Sequence, residues 1–167
     1  MSVYSMNIDN NRVVAKVSLD YNKRYRNVLC VYDTGAMYTA IQASSLNIPK
    51  SHEEIYRGKF EEKLLGGLVK STYKDCNFIR YYKVIFKEVA IGNIVLKNIP
   101  IWITFMDNVT NDVIGMDIIS KLYTYIGDNK THISSNRRDL VNVILNDSQE
   151  RKPNLLGELP DIDLGGI

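Results

Sequence analysis

VLCVYDTGAMYTAI, residues 28–41, is the segment on which the fold turns. Val28, Leu29, Cys30, Val31 and Tyr32 make an apolar run of the composition that strands favour. Asp33, Thr34 and Gly35 follow at once, and since Asp and Gly are turn formers the strand is expected to end there. A carboxylate at the end of a buried strand is held at the floor of whatever cleft the turn borders. That is an unusual place for an acid, because charged groups are rarely buried without a partner.

Outward from this segment, alternation of apolar and polar residues dominates. It is clear in RVVAKVSL, residues 12–19, and returns over 82–104, so the chain reads as mostly β. Within the second stretch Gly92 and Asn93 separate VIFKEVAI from IVLKNIPIWI. A two-residue Gly-Asn link is typical of a tight hairpin, and the two stretches are expected to pair antiparallel. Pro100 lacks a backbone donor and points to a strand edge or a strand start. Helix is the minor element: Ser51 and Glu54 have capping-box spacing, which predicts a short helix opening at Ser51. A second short helix is expected after Gly115, through Met116, Ile118, Ile119 and Leu122. The end of the chain is rich in Pro, Gly and acidic residues with no periodic apolar face, so the reading is one domain over 1–144 and a flexible tail over 145–167.

Two further blocks stand in order with the first. NDVIGMDII, residues 111–119, repeats the plan of an apolar strand running into a turn, with Val113 and Ile114 before Gly115 and a helix after it. KLLGGLV, residues 63–69, lies between them and puts Gly66 and Gly67 side by side, where adjacent glycines permit positive φ and close backbone approach to a ligand. Together, DTGA, the glycine pair and VIGMD resemble the retropepsin-like single-domain aspartic peptidases, over roughly residues 12–135. The resemblance implies a mostly β, closed β-barrel with a short helix after VIGMD, active as a C2 homodimer. It also implies roles. Asp33 would be the catalytic carboxylate; Thr34 would brace the dyad loop by a hydrogen bond to the partner's matching loop, and Gly35 would leave room for substrate backbone. Ala36 would line the substrate, and Gly66, Gly67 and Leu68 would form the flap that covers it. The chain departs from the viral pattern at Met37 and Tyr38, where the retroviral enzymes carry acidic residues that hold the substrate main chain, and at Val69, in a flap with fewer glycines than the viral form.

Peptide hydrolysis by this route needs two carboxyl groups sharing one proton: the ionised one takes a proton from water while the neutral one hydrogen-bonds the scissile carbonyl. The resemblance supplies one such Asp per chain, so it implies a homodimer with Asp33 of each subunit at the twofold axis, titrating as a pair. The expected activity is that of an aspartic endopeptidase on extended peptide or protein segments, on the acid side and with no cofactor. The alternative on the same fold is a non-catalytic dimeric peptide-binding module, and a third reading is an unrelated β-rich interaction domain. Tyr38 and Trp102 are read as packing residues and not as site residues. Leu155 and Leu156 in the tail are read as an autoprocessing site or as a weak inhibitor lying in the cleft, against the plainer reading of a solvated tail.

The totals narrow the classes. A chain of 167 residues and 19.1 kDa holds one core but not two full lobes. A net charge of +2 with dispersed Lys and Arg argues against a nucleic-acid partner. No apolar run approaches bilayer length, and the start at Met1 has no secretion signal, so a free-standing cytoplasmic protein without a membrane partner is expected. Cys30 and Cys76 are far apart and form no metal or redox pair. His52 and His132 are isolated, so no metal is expected and both are read as surface residues.

Overall fold

Strand pairing, more than any helix, organises this chain. A computed structural model describes residues 3–21, 23–65, 78–107 and 111–146. The elements run β1 (Val3–Asp9), β2 (Arg12–Tyr21), β3 (Arg24–Tyr32), β4 (Ala40–Gln42), α1 (Glu53–Lys59), β5 (Glu61–Leu65), β6 (Ile79–Ile91), β7 (Ile94–Thr104), β8 (Val113–Ile114), α2 (Met116–Ile119), β9 (Tyr123–Ile126) and β10 (Lys130–Ser134). A final helix, α3, covers 137–146.

Among the described residues the strands form one sheet in the order β5-β6-β7-β4-β8-β3-β2-β1-β10-β9. An added pairing of β6 with β2, Val17 opposite Ile91 and Leu19 opposite Val89, closes the middle of that order into a ring. The fold is therefore mostly β with a barrel-like closed sheet, as expected. Burial follows the pleat: Ala15, Val17 and Leu19 alternate inward along β2, and Val28 and Cys30 do so along β3. They meet Phe86, Val89, Ile91, Ile94, Ile99 and Ile101 in one continuous core.

The β6–β7 hairpin forms as the Gly-Asn link predicts, Ile91 facing Ile94, with Gly92 at φ 59 in the first turn position. Along β6 the buried set changes phase between Phe86 and Val89, and along β7 between Ile94 and Ile99. The change falls at Asn98, whose φ of 55 places it in the left-handed region that Asn tolerates. Pro100 lies opposite Ile85 within β7, but β4 joins the other side of β7 only at residues 102–104, so the proline occupies a local edge.

Three expectations need correction. The first helix opens through a 3-10 turn, Lys50–His52, behind Pro49, with no side-chain cap. Ser51 sits inside that turn, so the Ser51–Glu54 capping box does not form; the fixed φ of Pro49 starts the turn instead. His132 is 9% exposed, not a surface residue, because its place on β10 opposite Ser5 gives Nδ1 a hydroxyl at 2.7 Å and Tyr125 a face to stack on. Finally, α3 was not foreseen and carries helix to 146, just past the expected end of the domain. Gly66, Gly67, Leu68, Cys76 and the tail from 147 lie outside the described residues. No helix among the described residues is long and apolar enough to cross a membrane.

Candidate active site

β3 delivers Asp33. Its last residues run parallel to β8, Val31 beside Val113 and Tyr32 beside Ile114, and the Asp33 amide continues the ladder by donating to the Ile114 carbonyl at 3.0 Å. The chain then turns: Gly35 N–H donates to Asp33 Oδ1 at 2.8 Å, and Ala36 N–H to the Asp33 carbonyl at 3.2 Å. This is an Asx-type turn in which the carboxylate itself shapes the loop. Beyond it β4 lies on the other flank of β8, with Ala40 opposite Val113. β8 thus passes between the two arms of the loop, and the loop bends over its end.

That crossing explains Gly115. A Cβ there would lie 2.5 Å from the carbonyl carbon and oxygen of Tyr38, so no side chain fits between strand and loop. Two further bonds fasten the loop to α2: Met116 N–H to the Ala36 carbonyl at 2.8 Å, and Asp117 N–H to the Met37 carbonyl at 3.2 Å. Thr39, 1% exposed, ties the pieces together. Its hydroxyl donates to Asp117 Oδ1 at 2.6 Å and accepts the Gly115 N–H at 3.0 Å, while its own amide donates to both Asp117 carboxylate oxygens at 3.0 Å. Asp112 does a similar service at the start of β8, accepting from the Gln42 amide at 2.8 Å and from the Ser45 hydroxyl at 2.5 Å.

Within this frame Asp33 is half-buried, Thr34 and Gly35 are exposed at the loop tip, and Ala36 is half-buried. Among the described residues, the Gly35 amide is the one hydrogen-bond partner of the Asp33 carboxylate, so the group stays available to a ligand or a second chain. These four expected residues therefore stand together. Gly66, Gly67 and Leu68 fall in the connection between β5 and β6, the antiparallel arms whose last described pair is Leu65 opposite Ile79. Beside the loop a small apolar cluster, Ala40, Ile79, Tyr81 and Trp102, takes in Tyr38, Leu65 and Val113 at its margin.

No family model matches the sequence, and no curated protein matches it. Among solved structures, the chain is similar to the crystal structure of a retropepsin-like aspartic protease from Rickettsia conorii. The two are 13% identical, with a TM-score of 0.50, over 78% of this chain and 89% of the other. The fold is retropepsin-like.

Seen on that retropepsin-like frame, reading the sequence alone passed over two residues of the site, Thr39 and Asp117. Both stood inside the quoted blocks, and their signal was a small hydroxyl after the DTGA turn together with an acid just after the glycine of VIGMD. Nothing in spacing alone shows that these two meet, because the bond joins residues far apart in the chain.

Proposed function

We propose that this protein is an aspartic endopeptidase, in which Asp33 from each of two subunits activates water against a peptide bond held in an extended segment. The observation that carries the reading is the Asp33 turn: an intact Asp-Thr-Gly loop folded over a crossing strand and locked by Gly115, Thr39 and Asp117, on a retropepsin-like fold. A carboxylate whose loop cannot drift is what general acid–base work on bound water requires. The similar solved protein is a protease by its title, which supports the same class.

One chain offers one such carboxylate, so turnover calls for a second copy. A free sheet edge supports that assembly: among the described residues β9 pairs only with β10, and Tyr123, Tyr125 and Ile126 are exposed along it. In the dimer one carboxyl is ionised and takes a proton from water. The other is neutral and donates to the scissile carbonyl, so no covalent intermediate forms. Thr34 at the loop tip braces the pair; Gly66, Gly67 and Leu68, which lie outside the described residues, are the proposed flap. The protein works in the cytoplasm on peptide or protein substrates.

The test compares wild type with Asp33→Asn on a mixed peptide library, read by mass spectrometry from acidic to neutral pH, with size followed by light scattering. Cleavage by a wild-type dimer, strongest on the acid side, and none by a folded dimeric variant is the expected result. A folded wild-type dimer without activity would favour a peptide-binding module instead. A stable monomer would end the shared-dyad mechanism.

A further inference from the structure

Lys63 occupies an unusual setting. It stands on β5, half-buried, on the strand face it shares with Leu65, and its ammonium lies 4.4 Å from the ring centre of Tyr38 and 5.8 Å from that of Trp102. It donates to the Tyr38 hydroxyl at 2.8 Å. Tyr38 in turn packs edge-on against Trp102, the ring centres 5.8 Å apart. Two aromatic faces and a phenol therefore hold one cation in place.

No carboxylate of the described residues neutralises it. The two acids just upstream are engaged elsewhere, Glu61 with Lys83 at 3.7 Å and Glu62 with Arg80 at 2.6 Å. An ammonium has three donors, and among the described residues one is used, on the Tyr38 hydroxyl. Partly desolvated cations are normally paired, so a positioned cation with donors to spare is set up to receive an anion from outside.

Its location says which anion. Tyr38 belongs to the same loop as Asp33, and its carbonyl rests on Gly115; Val113, at the margin of the Tyr38–Trp102 cluster, is paired with Val31 just before Asp33. The cation therefore sits against Tyr38 of the loop that carries Asp33. We propose that Lys63 is a specificity-determining residue that selects substrates bearing a carboxylate close to the scissile bond. The proposal rests on the peptidase reading. The carboxylate comes either from an Asp or Glu side chain or from the peptide's own C-terminus.

Two readouts of one peptide library, synthesised with free and with amidated C-termini, test it. Wild type, Lys63→Met and Lys63→Arg are profiled for cleavage, and the same library is passed over immobilised Asp33→Asn dimer with and without Lys63→Met to measure retention. The expected wild-type result is a preference for Asp or Glu over Asn or Gln at one position near the cut, of roughly ten- to a hundredfold in kcat/KM. Lys63→Met abolishes that ratio and Lys63→Arg keeps most of it. A Lys63-dependent preference for Asp or Glu that persists in amidated peptides assigns the carboxylate to a side chain, and a Lys63-dependent preference for free over amidated peptides assigns it to the C-terminus. Cleavage with neither an acidic side-chain preference nor a preference for free C-termini, or a preference that survives Lys63→Met, overturns the proposal while leaving the peptidase reading intact. Absence of cleavage with acidic retention that depends on Lys63 overturns the peptidase reading and keeps the carboxylate site. Neither cleavage nor Lys63-dependent retention overturns both.

Discussion

At the scale of single residues, the loop that carries Asp33 is held by three others, Thr39, Asp117 and Gly115. The Thr39 hydroxyl is spent twice, as donor to Asp117 and as acceptor from Gly115, inside a setting that excludes water. Thr39→Val keeps the shape and strips both bonds, leaving the buried Gly115 amide without its partner and Asp117 Oδ1 with the Thr39 and Ile118 amides alone, at a cost of about 1–3 kcal/mol. Thr39→Ser restores the bonds and most of the stability. Because the same contacts hold the loop that carries Asp33, the valine variant is expected to lose kcat as well, and the serine variant to recover it; denaturant melts paired with peptide kinetics check both. A valine variant as stable and active as wild type would show the net to be incidental. Gly115→Ala fails for another reason, since the added methyl group meets the Tyr38 carbonyl at 2.5 Å and must push the loop off β8.

At the scale of elements, the β6–β7 hairpin shows how a local signal and a tertiary contact agree. Gly92 has φ 59, which a side chain resists, and a Cβ there would strike the Tyr4 ring at 2.1 Å. Tyr4 belongs to β1, and its hydroxyl accepts the Lys16 amide at 3.1 Å, so the turn tip also seats the first strand. Gly92→Ala is expected to cost more than about 1 kcal/mol, from strained φ and a displaced ring together. Urea titration measures it, and a loss below that figure would mean that Tyr4 moves aside freely. The hairpin was legible because Gly-Asn between alternating stretches is a short-range code. So was the strand before Asp33 and the short helix after Gly115. The first helix was placed but its start was misread, since Pro49 outweighed the Ser51–Glu54 spacing. α3 was missed although its signal was present: Asn136 Oδ1 accepts the Asp139 amide at 3.2 Å, a plain N-cap ahead of Leu140, Val141, Val143 and Ile144. Acidic and glycine-rich text farther along the chain drew attention from it. Ring closure through β2 and β6, the insertion of β8 between β3 and β4, and the meeting of Lys63 with Tyr38 and Trp102 are long-range facts that no periodicity encodes.

At the scale of the whole molecule, the fold buries groups whose ionisation it opposes. Burial, aided by the nearby charge of Asp112, pushes the Cys30 thiol well above its ordinary 9.0. Burial likewise raises Tyr56, with Tyr21 adding to it, and Tyr81; it raises Tyr32 as well, partly offset by the hydrogen bond with Thr124, each from an ordinary 10.0. The folded state keeps these protons where an unfolded chain would release them. Their contribution to stability is therefore complete below the unfolded values and drains away as pH rises past them, thiol first and phenols next. Each group removes up to about 1.4 kcal/mol per pH unit between its unfolded value and its raised folded one. Stability from chemical denaturation is accordingly expected to fall from about pH 9 and to steepen above about pH 10. Cys30→Ala lowers the baseline by leaving a small cavity, yet it makes the first part of the descent shallower by up to about 1.4 kcal/mol per pH unit, because the thiolate released on unfolding at that position is gone. An unchanged initial slope in that variant would mean that the Cys30 thiol ionises within the folded barrel, and the core around β2, β3 and the β6–β7 hairpin would then have to admit water.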